Sequence, residues 1–358
     1  MKVYRNLFES IISTENLFEA WDVFKRDKRN RPDVERFEKN IEQEVFNLSH
    51  ELRTKTYWHG SYYAFLIRDP KLRNINKATV RDRVLHHAIF KILNPIFEPT
   101  FILTSFSCRI GKGTHKGVEY LANSLRAVSQ NNIHSCFALK CDVRKFFDSI
   151  DHETLLGVLR RRILDEDTLW LLDNVINSYE TGFTRERERE RESKNAPKKG
   201  VPIGNLTSQL FANIYMNELD QFVKHELRVK YYARYTDDFV ILSDDRAYLE
   251  SLIPQIAGFL KTRLSLSLHP DKVFIRKYNQ GIDFLGYVIL PKHVRVRTQT
   301  RRRIFKKMRK QVVLFKNGII GKPTLLGSLN SYLGVLSHAD AYELSEDLKN
   351  QFWFWMND

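Results

Sequence analysis

Two adjacent aspartates, Asp237 and Asp238, stand between an aromatic run, YYARY, and an apolar run, FVIL. Both runs are short and rich in β-branched and aromatic residues, which predicts two β-strands joined at the acids in a hairpin. A turn explains one aspartate, because its side chain can accept hydrogen bonds from nearby backbone amides. It explains two repelling carboxylates poorly, whereas a metal such as Mg²⁺, which prefers oxygen ligands, explains both.

A pair of metal ions about 4 Å apart can clamp the attacking and leaving oxygens of a phosphoryl transfer, and such a pair needs carboxylates from more than one strand. The hairpin therefore predicts another acid at the end of a second buried strand. Asp142 meets this condition at the end of FALKCD, and the backbone carbonyl of Val143 would add a ligand. We expect Asp142, Val143, Asp237 and Asp238 to bind two Mg²⁺ ions, with Mn²⁺ able to substitute.

The composition indicates a soluble protein that binds a polyanion. The chain has 358 residues, with 58 Lys and Arg against 43 Asp and Glu and a formal net charge of +15. Such a charge favours nucleic acid, and less commonly an anionic membrane, as the partner. No apolar stretch approaches the roughly 20 residues that span a bilayer, and the acidic N-terminal segment resembles neither a signal nor a transit peptide. Three scattered cysteines suggest no disulfide framework or zinc site, so we expect a cytoplasmic location and no membrane contact.

The spacing of apolar residues predicts an α+β fold in which helices flank a small antiparallel sheet. The N-terminal 58 residues are expected to be mainly helical. The other predicted strands are 61–69, 136–143 and a short pair around GIDFLGYVIL. The other predicted helices are 79–97, one that begins near Thr114, 206–227 and 246–265. In the first of these helices the apolar residues keep helical spacing as far as Pro95.

Two segments are unusual in charge. The segment 181–200 alternates Arg and Glu over 185–192, and we expect a surface insertion that carries no chemistry, although it could also serve as a contact surface. The segment 291–316 is rich in Lys and Arg and contains no acid. With the residues that follow it, this basic segment is expected to form a separate helical domain after Pro291.

The runs DVRKFFDSID and YTDDFVIL resemble motifs A and C of the reverse transcriptase palm. The runs TVRDRVLHHAI, SFSCRIGKGTH, VPIGNLTSQ, LHPDKV and FLGY resemble further blocks of that family in the same order, so the resemblance covers about residues 60–290. It implies a right-hand polymerase with fingers and palm over residues 1–290, including an N-terminal helical extension at 1–58, and a basic helical thumb over 291–358.

The resemblance implies roles for the acids and for an aromatic residue. Asp142 and Asp237 would hold the two catalytic ions, with Asp238 supporting them. Phe147, five residues after Asp142, would be the steric gate that leaves no room for a 2′-hydroxyl; the alternative is a core aromatic beside Phe146.

Further substrate contacts follow from the resemblance. Lys71 and Arg73 would meet the triphosphate, and Arg109 and Lys112 the triphosphate or template, unless all four are ordinary exposed cations. Lys272 would hold the triphosphate or protonate the pyrophosphate. Tyr235 is also expected at the substrate, and Phe284, Leu285, Gly286 and Tyr287 are expected to form the primer grip, unless FLGY is plain strand core.

One block departs from most reverse transcriptases, which have Gln-Gly-x-x-x-Ser-Pro before motif C. This chain has Ile203 and Gln209 at the first and last of these positions and keeps Gly204. Isoleucine cannot make the hydrogen bond of an amide near the nascent base pair, which weakens nucleotide discrimination. The variant resembles reverse transcriptases of diversity-generating retroelements, which copy a template RNA with errors at adenines; the alternative is that Ile203 repacks the helix start with normal fidelity.

The resemblance implies template RNA, the nascent cDNA or primer and dNTPs as partners, together with a small basic accessory protein. The alternatives are another bacterial reverse transcriptase (retron-like, group II intron-like or antiphage) and a non-catalytic RNA-binding protein that retains the polymerase shell. The short section after residue 290 weighs against an intron-type enzyme. Histidines 86, 87, 115 and 152 are expected to be structural or to contact nucleic acid, because none has a partner at metal-binding spacing.

Overall fold

The computed structural model describes residues 2–68, 72–181 and 198–358. Lys71 and the Arg-Glu segment 185–192 lie outside the described residues, so the predictions for them remain open. The helices of the N-terminal half are α1 (Phe8–Ile12), α2 (Thr14–Phe24), α3 (Pro32–Lys39), α4 (Ile41–Arg53), α5 (Val80–Phe97), α6 (Thr114–Val128), α7 (Phe146–Ser149), α8 (His152–Arg160) and α9 (Glu166–Asn177). Those of the C-terminal half are α10 (Leu206–Gln221), α11 (Arg246–Leu264), α12 (Thr298–Lys316), α13 (Lys322–Leu336) and α14 (Tyr342–Asn357).

The strands form three small sheets. They are β1 (Tyr63–Arg68), β2 (Leu72–Lys77), β3 (Phe137–Asp142), β4 (Tyr231–Tyr235), β5 (Asp238–Ser243), β6 (Phe274–Lys277), β7 (Ile282–Phe284), β8 (Tyr287–Ile289) and β9 (Val294–Val296). β1 and β2 form a hairpin, β7–β8–β9 form a second sheet, and the third has the order β4-β5-β3-β6. The pairs β1–β2, β3–β6, β4–β5, β7–β8 and β8–β9 are antiparallel. The predicted mixture of helices with small antiparallel sheets is confirmed.

The described residues group into two compact units. The first contains residues up to 103, 142–228 and 253–272, and the second contains 104–141, 229–252 and 273–358. The predicted division at residue 290 stays a prediction.

Helix α5 lies at the centre of the first unit, where it packs against α2 and α10. The Thr79 side chain caps its N-terminus by accepting a hydrogen bond from the Asp82 amide at 3.2 Å. The buried Asp82 carboxylate in turn accepts from the Tyr57 hydroxyl at 2.9 Å and from the Gly60 amide at 3.0 Å. These bonds fix the chain that leads into the β1–β2 hairpin to the start of α5.

The second unit has two apolar cores. In the first, α6 packs against β4, β5 and β8 through residues such as Val118, Leu121 and Leu125. In the second, α12, α13 and α14 pack around Met308, Leu325 and Leu348. The first core therefore supports the strands that flank Asp237 and Asp238.

The helix predicted at 79–97 is confirmed as α5, which continues to Phe97, two residues past Pro95, because proline lacks the amide for one helical bond but its fixed φ of about −65° is still helical. One local prediction is wrong. The section after Pro291 is not helical from its start, because Val294–Val296 pairs with β8 as an edge strand and α12 begins only at Thr298. No helix among the described residues is both long enough and apolar enough to cross a membrane.

Candidate active site

The hairpin predicted around the paired aspartates is confirmed. Strand β4 ends at Tyr235 and β5 begins at Asp238, and these two residues face each other in the ladder. The loop is only Thr236 and Asp237, so both acids lie at the tip. Beyond the tip β5 is apolar and buried from Phe239 to Leu242. A buried strand thus ends at two partly exposed carboxylates.

The backbone of this turn is strained at Thr236. Its φ is +57°, a left-handed conformation that glycine adopts readily and a β-branched residue rarely does. Holding such a residue there costs on the order of 1–3 kcal/mol and requires that neighbouring groups fix it.

Arg234 contacts this turn from inside the protein. It is 0% exposed and is the largest of the fully buried side chains. Its Nη1 donates to the carbonyl of Thr236 at 2.9 Å, and its Nη2 donates to Oγ of Ser105 at 3.1 Å. Sequence reasoning missed Arg234, although an arginine between apolar residues of a buried strand is itself a signal.

The segment 104–113 runs beside β4. The amide of Arg234 donates to the carbonyl of Thr104 at 3.0 Å, and the carbonyl of Arg234 accepts from the amide of Phe106 at 2.9 Å. The Ser107 and Thr236 hydroxyls lie 2.7 Å apart. The segment is therefore bonded to the turn through backbone and side chains.

Arg109 and Lys112, the two predicted substrate contacts in this segment, each lie against another residue of the same segment. Arg109 donates from Nη1 to the carbonyl of Ser105 at 2.9 Å. Lys112 Nζ lies 5.6 Å from the centroid of the Phe106 ring. Ser105 therefore accepts from Arg109 through its carbonyl and from Arg234 through its hydroxyl.

A second cation missed by sequence reasoning is Lys140, on β3. Its side chain is only 14% exposed, and Nζ lies 3.4 Å from Oδ2 of Asp238 and 2.9 Å from the carbonyl of Asp283. The Asp283 carboxylate forms an ion pair with Arg297. Lys140 thus connects Asp238 to β7, and its place in the apolar run FALKCD was the available signal.

Strand β3 ends at Asp142, and β3 lies between β5 and β6 in the sheet. Lys272 Nζ is 2.8 Å from Oδ1 of Asp142, and the Asp142 carbonyl accepts from the amide of His269 at 2.8 Å. Val143, the next residue, is buried. The lysine predicted to meet the triphosphate is therefore paired with one of the predicted metal ligands.

Phe147 and Phe146 have different environments in the short helix α7. Phe146 is buried at 2% exposure, whereas Phe147 is only partly buried, with the two rings 5.2 Å apart and edge to face. The Phe147 carbonyl accepts from the amide of Val201 at 2.9 Å. The core position beside the gate candidate thus belongs to Phe146.

The variant block at 203–209 is bonded to strand β2. The carbonyl of Ile203 accepts from the amide of Asn76 at 3.1 Å, and the Asn205 side chain donates to the carbonyl of Asn76 at 2.9 Å. Gly204 has φ +114°, and a Cβ there would lie 2.9 Å from Ile75 Cγ2, so glycine is required. Ile203 is partly exposed, and Gln209 is exposed in the first turn of α10.

Arg73, which was predicted to meet the triphosphate, is exposed on β2 opposite Ile67.

The FLGY block forms the β7–β8 hairpin. Phe284 and Tyr287 pair and are both buried, and the turn between them consists of Leu285 at φ +51° and Gly286 at φ +91°. The Tyr287 hydroxyl donates to the carbonyl of Val335 at 2.9 Å, and the Gly286 carbonyl accepts from the amide of Arg297 at 2.9 Å. Two residues of the expected primer grip are thus strand core, and the other two form a turn bonded to the start of α12.

Comparisons with known proteins identify the family of the chain. The family model described as reverse transcriptase (RNA-dependent DNA polymerase) matches residues 68–289, more than half of the chain. The chain belongs to the reverse transcriptase family.

Several curated proteins are similar to this chain. Protein YkfC of Escherichia coli (strain K12) is 27% identical over 260 residues, which cover 63% of this chain and 65% of YkfC. The group II intron-encoded protein LtrA of Lactococcus lactis is 22% identical over 340 residues, covering 75% of this chain and 51% of LtrA. The Pol polyprotein of the R2DM retrotransposable element of Drosophila melanogaster is 29% identical over 153 residues, which cover 41% of this chain and 14% of the polyprotein. The chain thus spans about half to two thirds of the length of the first two relatives.

The predicted donor set suits a hard divalent cation. Carboxylates stand at the end of β3 and at the tip of the β4–β5 hairpin, and oxygen is the ligand that Mg²⁺ prefers. Burial, helped by the charge of Asp238, raises the pKa of the Cys141 thiol beside Asp142 to about 12. Over the described ranges, no cluster of three or more His, Cys, Asp and Glu side chains forms a metal-binding group. The sharing of two ions by Asp142, Asp237 and Asp238 stays a prediction.

The four histidines considered in the sequence contact other residues of the chain. His86 Nε2 lies 3.2 Å from Nε2 of His59 in a buried pair, and burial keeps the pKa of His86 well below its usual value. His152 Nε2 lies 2.7 Å from the carbonyl of Gly200. Burial lowers the pKa of His87 to about 4, and the ring of His115 lies against that of His338.

Replacing Lys140 tests the cation beside Asp238. Lys140→Met keeps an apolar stem but leaves Asp238 and Asp283 without the charge between them. We expect the free energy of unfolding to fall by about 1.5–3 kcal/mol, the usual loss for a hydrogen bond to a charged group. Chemical denaturation measures it, with Lys277→Met, an exposed lysine on β6, as the matched control. Equal losses in the two variants would contradict a specific role for Lys140.

Proposed function

We propose that the protein is an RNA-directed DNA polymerase that copies a template RNA into cDNA by two-metal phosphoryl transfer. The observation that carries the proposal is the β4–β5 hairpin tip with Asp237 and Asp238, next in the sheet to a strand that ends at Asp142. Membership of the reverse transcriptase family supports it.

The ions would be held by Asp142, Asp237 and the carbonyl of Val143. Bound there, they would stabilise the negative charge on the attacking and leaving oxygens. Asp238 would support Asp237 rather than bridge the ions, because Lys140 already lies 3.4 Å from its carboxylate. Lys272, now 2.8 Å from Asp142, would hold the triphosphate or donate a proton to the departing pyrophosphate.

The right-hand architecture follows from the same proposal. Residues 1–290 would form fingers and palm, and residues 291–358 the thumb. In α12 the buried residues Ile304, Met308 and Val312 form one stripe. Its exposed cations are Arg301, Arg302, Lys306, Arg309, Lys310 and Lys316. Such a surface binds template and cDNA phosphates with release of counterions, independently of sequence.

Within this activity we propose a diversity-generating role, with errors at template adenines and a small basic accessory protein as partner. Ile203 supports it, because its partly exposed side chain cannot donate or accept a hydrogen bond at the position where an amide would contact nucleotide or template. The second candidate is an intron-type reverse transcriptase, which the similarity to the group II intron-encoded protein LtrA favours.

Replacing Asp237 separates polymerisation from RNA binding. We expect Asp237→Ala to lower primer extension on an RNA template by about 10³-fold or more, as for loss of a principal electrostatic group. RNA affinity, measured by fluorescence anisotropy, should change little because the basic surface remains. Asp244→Ala, at the exposed far end of β5, is the matched control and should extend normally. A wild-type chain that binds RNA but extends no primer would favour the non-catalytic alternative.

Replacing Phe147 tests the steric gate. Phe147→Val shortens a partly exposed ring and makes room for a 2′-hydroxyl, so the preference for dNTP over rNTP should fall by about tenfold to hundredfold, the range for small pocket changes. Single-nucleotide incorporation kinetics measure this ratio. Phe146→Val, in the adjacent core, should lower stability without changing the ratio. An unchanged ratio in Phe147→Val would exclude the gate.

Replacing Ile203 tests the source of adenine errors. Ile203→Gln restores an amide, and one hydrogen bond gained on correct pairs should lower misincorporation opposite adenine by about tenfold. Sequencing of cDNA from a template with all four bases measures the errors. Ile133→Gln, an exposed isoleucine, is the control. Equal wild-type error rates opposite all four bases would exclude the diversity-generating role while leaving the polymerase intact.

A further inference from the structure

The buried arginine behind the catalytic turn has a geometry that packing alone does not require. Arg234 is fully buried, yet its fork donates to two specific groups, the Thr236 carbonyl and the Ser105 hydroxyl, at 2.9 and 3.1 Å. Burying a guanidinium costs free energy unless its N–H groups donate hydrogen bonds to protein acceptors. Here one of these donors holds a peptide of the two-residue loop, and another is bonded to the Ser105 hydroxyl.

That peptide is the one under strain. Thr236 has φ +57°, and a threonine left to itself would relax toward negative φ. Because Asp237 follows directly, such a relaxation would rotate its backbone and move its carboxylate. The Ser107 hydroxyl, 2.7 Å from that of Thr236, restrains the side chain as Arg234 restrains the carbonyl. The turn is therefore fixed by two separate contacts.

One of these contacts comes directly from the segment 104–113, and the other comes from Arg234, which is bonded to that segment through Ser105. The segment is itself a predicted substrate contact. Ser105 and Ser107 lie in 104–113, and Arg109 donates to the carbonyl of Ser105 at 2.9 Å. A parallel bridge between Ser105 and Arg234 adds backbone bonds. Ser105 thus joins the arginine expected at the triphosphate or template to the arginine that holds the turn.

We propose that Arg234 is a positioning residue for the proposed polymerase reaction: with Ser105 and Ser107 it holds Thr236 in its left-handed conformation and so sets the direction of the Asp237 carboxylate. The inference rests on the proposed function for its catalytic meaning. Lysine could not replace Arg234, because a single ammonium lacks the planar fork that reaches both acceptors.

The proposal makes a rescue the decisive experiment. Arg234→Met fills the site with an apolar side chain and removes both bonds, and a misplacement of about 1 Å at the reacting groups can cost about a hundredfold in primer extension. Glycine at 236 adopts positive φ without strain. Thr236→Gly should therefore recover about tenfold of the loss in the Arg234→Met background. A residue that only supports folding would show no rescue.

Divalent-ion binding gives a readout apart from activity. Mn²⁺ titrated into the protein without nucleic acid and followed by electron paramagnetic resonance should bind the wild type more tightly than Arg234→Met, with Thr236→Gly again restoring affinity. If the wild type extends no primer, the proposed function fails, but this binding series still tests Arg234. Unchanged binding and extension in Arg234→Met, or a double variant no better than Arg234→Met, would overturn the inference.

A milder variant covers the case in which Arg234→Met does not fold, which thermal melting would reveal. Ser107→Ala removes one hydroxyl and keeps Arg234. It should lower extension and Mn²⁺ affinity by about threefold to tenfold, the value of one hydrogen bond, and Thr236→Gly should suppress this loss. Ser124→Ala, a buried serine on α6, is the matched control and should change neither quantity. A Ser107→Ala protein that behaves like this control would also overturn the inference.

Discussion

The structure around the proposed active site depends on one constraint, which is that a buried strand must end in two adjacent carboxylates at the tip of a two-residue loop. Like charges side by side repel each other, and the backbone at Thr236 is strained as well. Neither condition is stable alone, so the surrounding protein has to supply cations and backbone hydrogen bonds. Lys140 supplies a charge beside Asp238, and Arg234 supplies a bond to the Thr236 carbonyl.

The cations around the acids differ in how far their side chains are exposed, and the buried ones are held more firmly than the exposed one. Lys140 and Arg234 are largely or fully buried and reach backbone carbonyls as well as their other partners. They therefore keep their contacts whether or not substrate is present. The Lys272 side chain is 37% exposed, and it forms an ion pair with the Asp142 carboxylate. A partly exposed ion pair is weakly held, so Lys272 can exchange Asp142 for a phosphate at low cost.

The sequence predicts the parts of the site that depend on local pattern. The hairpin follows from a short aromatic run and a short apolar run on either side of two acids, and the strand ending at Asp142 follows from the run FALKCD. The helix from Thr114 and the strand from Phe137 were also placed correctly. Each of these elements is specified by residues within about ten positions of one another.

Contacts between distant residues could not be predicted in the same way. Arg234 and Ser105 are 129 positions apart, and Lys140 and Asp283 are 143 apart. Nothing near either cation in the chain indicates its partner, although a charged residue within a buried strand signals that one exists. The edge strand Val294–Val296 was missed for the same reason, because its pairing with β8 outweighs the basic composition around it.

The variant block at 203–205 shows how the fold and the substrate contact can be specified separately. The backbone carbonyl of Ile203, the missing Cβ of Gly204 and the side chain of Asn205 all serve the junction with β2. The Ile203 side chain takes no part in these bonds, since only its carbonyl accepts from Asn76. The side chain at 203 can therefore change between amide and apolar without altering the bonds that hold the block. The role proposed for position 203 in nucleotide discrimination is therefore compatible with an unchanged junction between β2 and α10.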